Sequence, residues 1–271
     1  MKKYIIFIFL ILLSSCGKQP TIRVGAKHFN EGYILGEIVS QLLESRGYNV
    51  ERSFNLGGTL ICFDALKNHA IDIYPEYTGT ISEEILKLKN KVSLNELNDS
   101  LKSEFNLAIS ATYGFNNTYA LIMKKELATK LNITKISDLI NHPELNIALS
   151  YEFLKRNDGW DKLKSAYGLK NNAVGIEHGL AYQALDEGKI DLTDAYSTDG
   201  EIPKYNLTIL QDDKNFFPIY YAVSFYNPGT DKGLNDVLNL LSSKINENEM
   251  QAMNSEVLYN KKTFSETAFK F

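Results

Sequence analysis

Two stretches of this 271-residue chain can be laid over one another without a gap: ALKNHAIDIYPEYTGT, Ala65 to Thr80, and ALDEGKIDLTDAYSTD, Ala184 to Asp199. Ala65/Ala184, Leu66/Leu185, Ile71/Ile190, Asp72/Asp191 and Tyr77/Tyr196 are identical, and Thr78/Ser197 are similar. Each copy reads as the end of a helix, a tight turn, a strand, and then a Tyr with small polar residues that open the next helix. Helix–turn–strand units of α/β proteins share local composition, so convergence is one source of the match. The other is a pair of lobes of similar architecture, each placing a Tyr just beyond the carboxyl end of a strand. In open α/β sheets ligands bind outside strand C-termini. Two such edges facing across a cleft would bring Tyr77 and Tyr196 together.

The flanking pattern predicts the same architecture. Thr21 to Ala26 reads as a first strand, with Ile22 and Val24 alternating against polar neighbours. Asn30 is the expected N-cap of a helix to about Arg46, with Ile34, Leu35, Ile38 and Leu42 on one face and Gly47 as its stop. Val50 to Phe54 predicts a second strand, Asn55 to Gly58 a turn, Thr59 to Asn68 a helix, and Ile71 to Tyr74 a third strand. Two helices are expected near the C-terminus, about Asp231 to Ser243 and Asn246 to Glu256. This alternation is that of α/β layers on a mostly parallel sheet.

Residues 1–15 read as a leader rather than as part of the fold. Lys2 and Lys3 precede an apolar stretch, Tyr4 to Leu13, far shorter than the roughly 20 residues that span a bilayer. Leu13-Ser14-Ser15-Cys16 looks like a lipobox, so the expected mature chain begins at an acylated Cys16, and residues 16–21 link the lipid anchor to the fold. The only other cysteine is Cys62. It lies in the apolar stretch Thr59 to Phe63, as a small buried thiol does; with Cys16 acylated it has no partner.

Composition removes several functions. A formal net charge of -4 lacks the basic footprint that nucleic acid requires. The four histidines, His28, His69, His142 and His178, fall at no metal-ligand spacing, so neither metal nor cofactor is expected. There is no nucleophile elbow, P-loop or dinucleotide fingerprint. What stands out is 16 Tyr against a single Trp. Aromatic faces bind a trimethylammonium group, which has no N–H to donate, through the ring quadrupole and methyl packing. Tyr suits a wet cleft wall because its hydroxyl keeps a hydrogen bond while its face is presented.

Six motifs in order, VGAKHFNEGYILGE (Val24 to Glu37), NLGGT (Asn55 to Thr59), YPEYTGT (Tyr74 to Thr80), YGFNNTYAL (Tyr113 to Leu121), AYSTDG (Ala195 to Gly200) and LQDDKNFFP (Leu210 to Pro218), resemble the substrate-binding proteins of osmoprotectant ABC importers. These are the glycine betaine, carnitine and choline receptors. The resemblance implies a two-lobed α/β fold of the type II periplasmic-binding-protein class, with two chain crossovers between lobes. Lobe one would be residues 22–116 plus 221–271, and lobe two residues 117–220.

The resemblance also implies site residues. The family's four cage tyrosines match Tyr77, Tyr119, Tyr196 and Tyr220, the last in FFPIYYA where relatives read FPPYDA, so that Tyr221, in place of the usual Asp, competes with Tyr220. The Lys, Thr and Arg that hold a betaine carboxylate match Lys27, Thr80 and Arg156. Two cations and a hydroxyl near a helix N-terminus suit that group. The lesser alternative for either cation is a solvated surface charge. Asn117 and Glu152 match further lining positions. Choline-selective relatives often lack the Lys, so Lys27 points to a ligand with a carboxylate.

The expected function is therefore capture of glycine betaine between two lobes and delivery to an ABC permease and its ATPase, from an extracytoplasmic site on the lipid anchor. Choline and ergothioneine are the alternatives within that class. Against an enzyme stands the want of a nucleophile–base pair. A cell-surface interaction protein on the same fold is the third reading.

Overall fold

The computed structural model describes residues 21–88, 90–155 and 159–271. Cys16 with the leader, and Arg156, lie outside them. Among the described residues ten strands form two sheets of five. The first holds β1 (Thr21–Gly25), β2 (Asn49–Ser53), β3 (Ile73–Tyr77), β4 (Ala108–Ile109) and β10 (Ala222–Tyr226) in the order β2-β1-β3-β10-β4. The second holds β5 (Tyr119–Lys124), β6 (Ile147–Ser150), β7 (Ala173–Ile176), β8 (Leu192–Tyr196) and β9 (Leu207–Ile209) in the order β7-β6-β8-β5-β9. The chain passes between the sheets twice, after β4 and after β9.

The sheets are mixed rather than mostly parallel. β1 is parallel to β2 and β3, and β6 to β7 and β8, but β10 runs antiparallel to β3 and β4, and β5 to β8 and β9. The reversed strand is in each case the one that follows a crossing. A chain arriving from the other sheet enters at the edge where β3 and β8 end, and must run back from it.

The repeat is reproduced bond for bond. Ala65 O accepts the N–H groups of Ala70 and Ile71 at 2.8 and 3.2 Å; Ala184 O accepts those of Lys189 and Ile190 at 2.9 and 3.4 Å. His69 (φ 58°) and Gly188 (φ 67°) turn the chain at matching positions. β3 and β8 then begin two residues later than the Ile71 start expected for the third strand, and close on Tyr77 and Tyr196.

β3 extends through Pro75 because nothing there needs its missing N–H. Thr78 donates to Tyr221 O at 3.0 Å, so alternate N–H groups, at positions 75 and 77, face β1. Pairing with β1 is confined to Val24 and Ile73. The Tyr77 N–H left over is taken by Glu76 Oε1 at 2.9 Å.

Both faces of each sheet are covered. On sheet one Ile73, Tyr77 and Tyr226 pack under the Asn30–Ser45 helix, while Tyr74 and Phe225 pack with Phe63 and Leu101 on the other side. Asn30 opens the first helix without capping it; Phe29 holds the cap position with no side-chain bond. The C-terminal segment breaks differently from expectation. Leu234–Leu238 is followed by a tight turn, then Glu247–Asn260 and a further helix, Phe264–Lys270. Capping boxes at Asn246/Glu249 and Thr263/Glu266 start these two, a pattern readable in the sequence. No helix of the described residues is long and apolar enough to cross a membrane. Cys62 is buried and free, and burial pushes its thiol up to about 11.

Candidate functional site

β3 and β8 end at the same edge where β5 and β10 begin, and that edge lines a cavity of about 650 Å³ between the sheets. Tyr77 and Tyr196 close β3 and β8, Tyr119 opens β5, and Tyr220 lies two residues before β10. All four line the cavity, as do Lys27, Thr80, Asn117 and Glu152. Tyr221 is not among the lining residues; its backbone pairs with Thr78 instead. Tyr220 is thus the tyrosine that faces the site.

The walls differ in construction. Tyr119 and Tyr196 are cross-strand partners, which brings their ring centroids to 4.9 Å and their hydroxyls to 3.2 Å. Phe153 stacks behind Tyr119 at 5.2 Å, and His178 lies 5.5 Å from the Tyr196 ring. On the facing wall Tyr77 donates its hydroxyl to Glu31 at 2.5 Å. The Tyr220 ring rests on Gly79, where a Cβ would come within 2.6 Å of two ring carbons.

Lys27 lies at the floor of this wall. Its ammonium pairs with the fully buried Glu76 at 2.6 Å and sits over the rings of Tyr77 and Phe29, 5.1 and 5.6 Å from their centroids. The solvated surface charge read as its alternative role is therefore excluded: only 12% of its side chain is exposed.

Acid groups outnumber basic ones around the cavity. Glu31, Glu83, Glu84, Glu152, Asp199 and Glu201 line it, against Lys27 and His178 among the described residues. Glu31 is buried at the start of the first helix and accepts hydrogen bonds from Tyr77, from Asn117 at 3.0 Å and from Asn254 at 2.9 Å. Burial raises its carboxyl above the usual range, and these donors with Thr198 oppose the rise. Glu201 is likewise raised, by burial and by Asp199. Asp199 accepts from Tyr182 and from the Tyr196 N–H and lies 3.4 Å from His178 Nε2. Burial lowers the His178 pKa, but the bond and charge of Asp199, with Asp194 and Glu201, carry it above its ordinary value.

The C-terminal helix Glu247–Asn260 joins the two halves. Gln251 donates to Ser197 O at 2.7 Å and Asn254 to Thr198 O at 2.9 Å, on the two residues after Tyr196. Glu31 and Asp199 lie inside motifs already quoted, yet a carboxylate in a motif carries no mark of its burial. Asn254 and His178 carried no signal at all, since only packing brings their helices to the cleft.

Two like-built α/β halves joined by two crossings, with a concave aromatic and acidic site between them and no group of His, Cys, Asp and Glu fit to hold a metal among the described residues, define a solute-binding protein. The chain belongs to the OpuAC family, the substrate binding domain of ABC-type glycine betaine transport systems, which it matches over residues 20–271. The family serves transport, not catalysis. The chain is 35% identical over 273 residues to the ergothioneine transport permease/ergothioneine binding protein EgtU of Helicobacter pylori, covering 95% of this chain and 49% of that one. It therefore spans about half the length of that relative. It is 34% identical over 283 residues to the carnitine transport binding protein OpuCC of Listeria monocytogenes, covering 94% and 92%. A crystal structure of a glycine betaine/carnitine/choline ABC transporter superposes with a TM-score of 0.87 at 30% identity, covering 92% of this chain and 97% of that one.

Proposed function

We propose that the chain captures a quaternary-ammonium carboxylate, glycine betaine being the simplest, and hands it to an ABC permease outside the cytoplasm. The observation that carries this is the convergence of Tyr77, Tyr119, Tyr196 and Tyr220 on one cavity with six carboxylates in its walls. Faces of tyrosine hold a methylated cation that offers no hydrogen bond, and the surrounding negative charge favours it over a neutral solute of the same shape. Thr80 and Lys27, with Arg156 beyond the described residues, take the carboxylate. Residues 22–116 with 221–271 close on residues 117–220, and contacts made by both halves to one cation offset the cost of closure. Acylated Cys16 keeps the receptor at the membrane.

A second reading within the class is ergothioneine, which also carries a trimethylammonium group and a carboxylate. The cavity favours it. Its volume of about 650 Å³ belongs to the range of sites for drug-sized ligands, roughly 300–1,000 Å³, and leaves glycine betaine much unfilled space. The relative named for ergothioneine points the same way. Titration calorimetry of the chain without its leader, against glycine betaine, carnitine, choline and ergothioneine, decides the ligand. Heat from at least one is expected; silence with all four removes the class.

A further inference from the structure

Three of the four tyrosines of the cavity end their hydroxyl on a carboxylate, and the fourth is one hydroxyl removed from one. Tyr77 donates to Glu31 at 2.5 Å, Tyr119 to Glu152 at 3.0 Å, and Tyr220 to Glu83 at 3.3 Å. Tyr196 reaches Glu152 through the hydroxyl of Tyr119, 3.2 Å away. The three acids come from three separate places in the chain: the first helix, the short helix Tyr151–Lys155 after β6, and the π-helical segment Ile81–Ile85 that follows β3. Nothing in the repeat requires this, since Glu31, Glu83 and Glu152 all lie outside it.

Resting on the reading above, we infer that Glu31, Glu83 and Glu152 form an outer anionic ring that sets the specificity of the site for a cation, acting through the tyrosines they hold. Two effects add. A phenol that donates to a carboxylate is polarised by it, as bonded groups in a chain polarise one another, and its ring face becomes more negative toward a cation. The acid also supplies countercharge at the cavity wall, where a charge acts more strongly than in bulk water. The tyrosines make the contact with the methyl groups, and the acids behind them are positioning residues.

Glu31 is the member placed for the largest effect. It is buried, and Tyr77, Asn117, Asn254 and Thr198 all direct donors at it. A carboxylate so surrounded accepts only, which is the ionised form's arrangement. Glu83 is on the exposed rim of the cavity, where solvent screens its charge and its share is smaller.

The test separates charge from structure by using two ligands of one shape. Glycine betaine carries the quaternary nitrogen; the tert-butylacetate anion carries carbon in its place and keeps the carboxylate. In Glu31→Gln, glycine betaine is expected to weaken about tenfold, the scale of one partly screened charge, while tert-butylacetate binds more tightly or stays undetectable. Glu152→Gln follows the same direction, and Glu83→Gln loses only about threefold. Should Glu31→Gln not fold, Glu152→Gln and Glu83→Gln carry the test. A loss shared equally by both ligands, or glycine betaine affinity unchanged in every folded variant, overturns the outer ring while leaving the proposed ligand class standing. If the wild-type chain binds no quaternary-ammonium compound at all, both fall together.

Discussion

Asp72 and Asp191 hold their sheets by the same pair of bonds. The carboxylate of Asp72 accepts the Arg23 N–H at 2.8 Å while its own N–H goes to Arg23 O at 2.8 Å; Asp191 does both with Asn146, again at 2.8 Å. Each thereby fixes where β3 or β8 starts beside its parallel neighbour, and so where Tyr77 or Tyr196 falls. Asp72 also takes the Arg23 guanidinium in a fork at 2.9 and 2.8 Å. Asp72→Ala is expected to cost about 2–3 kcal/mol and Asp191→Ala about 1 kcal/mol. Urea midpoints of the two variants check the order.

Lys27 has two partners whose demands conflict. As a carboxylate ligand, its loss should harm betaines and spare choline. As the partner of buried Glu76 at 2.6 Å, its loss leaves an uncompensated charge inside the fold, a change that costs about 3–5 kcal/mol. Lys27→Gln should therefore melt well below wild type, and Lys27→Gln with Glu76→Gln should recover most of that loss. Binding measured on the double variant then reports the ligand role alone: a betaine-selective loss relative to wild type supports it, and equal fold-losses for glycine betaine and choline refute it.

The ring face and the hydroxyl of a cage tyrosine are separable. Tyr196→Ala should weaken a quaternary-ammonium ligand by tenfold or more, in line with about 1–2 kcal/mol for a desolvated cation–π contact. Tyr196→Phe should change it little. Tyr77→Phe should do more harm than Tyr196→Phe, because Glu31 loses a donor while staying buried. Calorimetry on the three variants reads these ratios directly.

Gly79 is required by Tyr220. An added methyl would sit 2.6 Å from two ring carbons and 2.9 Å from Ile219 O, and overpacking of this kind costs about 1–3 kcal/mol. Gly79→Ala should push the ring from the cavity and weaken binding severalfold, whereas Tyr221→Ala should leave affinity near wild type. A Tyr221 effect as large as that of Tyr220→Ala would reassign the fourth ring.

Acid should weaken capture through His178. The folded chain holds the proton of His178 more tightly than the unfolded chain, so the protonated form contributes stability below about pH 6.5, and that contribution is lost as pH rises through the folded pKa. The same proton places positive charge beside Tyr196 and opposes a cationic ligand. Affinity should fall on acidification through this range, and His178→Asn should flatten that part of the profile. A wild-type profile identical to that of His178→Asn counts against the assignment.

The repeat was legible because its turn is local chemistry, closed within a few residues on Ala65 O and Ala184 O, while its Asp meets the same need in both copies at a distant neighbour, Arg23 or Asn146. The cavity tyrosines on β3 and β8 followed from it. Tyr119 and Tyr220 came through resemblance, since they are not equivalent positions; Tyr119 faces Tyr196 across the strands, where the residue facing Tyr77 is Ala222. The direction of β5 and β10 was not legible, because it depends on where a chain enters a sheet. Nor were the partners of Glu31, which come from β3, the first crossing and the C-terminal helix, brought together only by packing.

At each passage between the sheets the backbone borders the cavity, at Asn117 on the first and at Tyr220 on the second. Asn117 donates to Tyr220 O at 3.0 Å and Tyr220 to Asn116 Oδ1 at 2.6 Å, two and three residues before Tyr119, and Asn117 and Tyr220 line the cavity themselves. On the proposed closure, flexing these connectors would tilt two of the four rings without any intermediate lever. Substitutions chosen to loosen or stiffen the joint would then alter grip strength as well, and release of the proposed ligand could begin with strain at the joint alone.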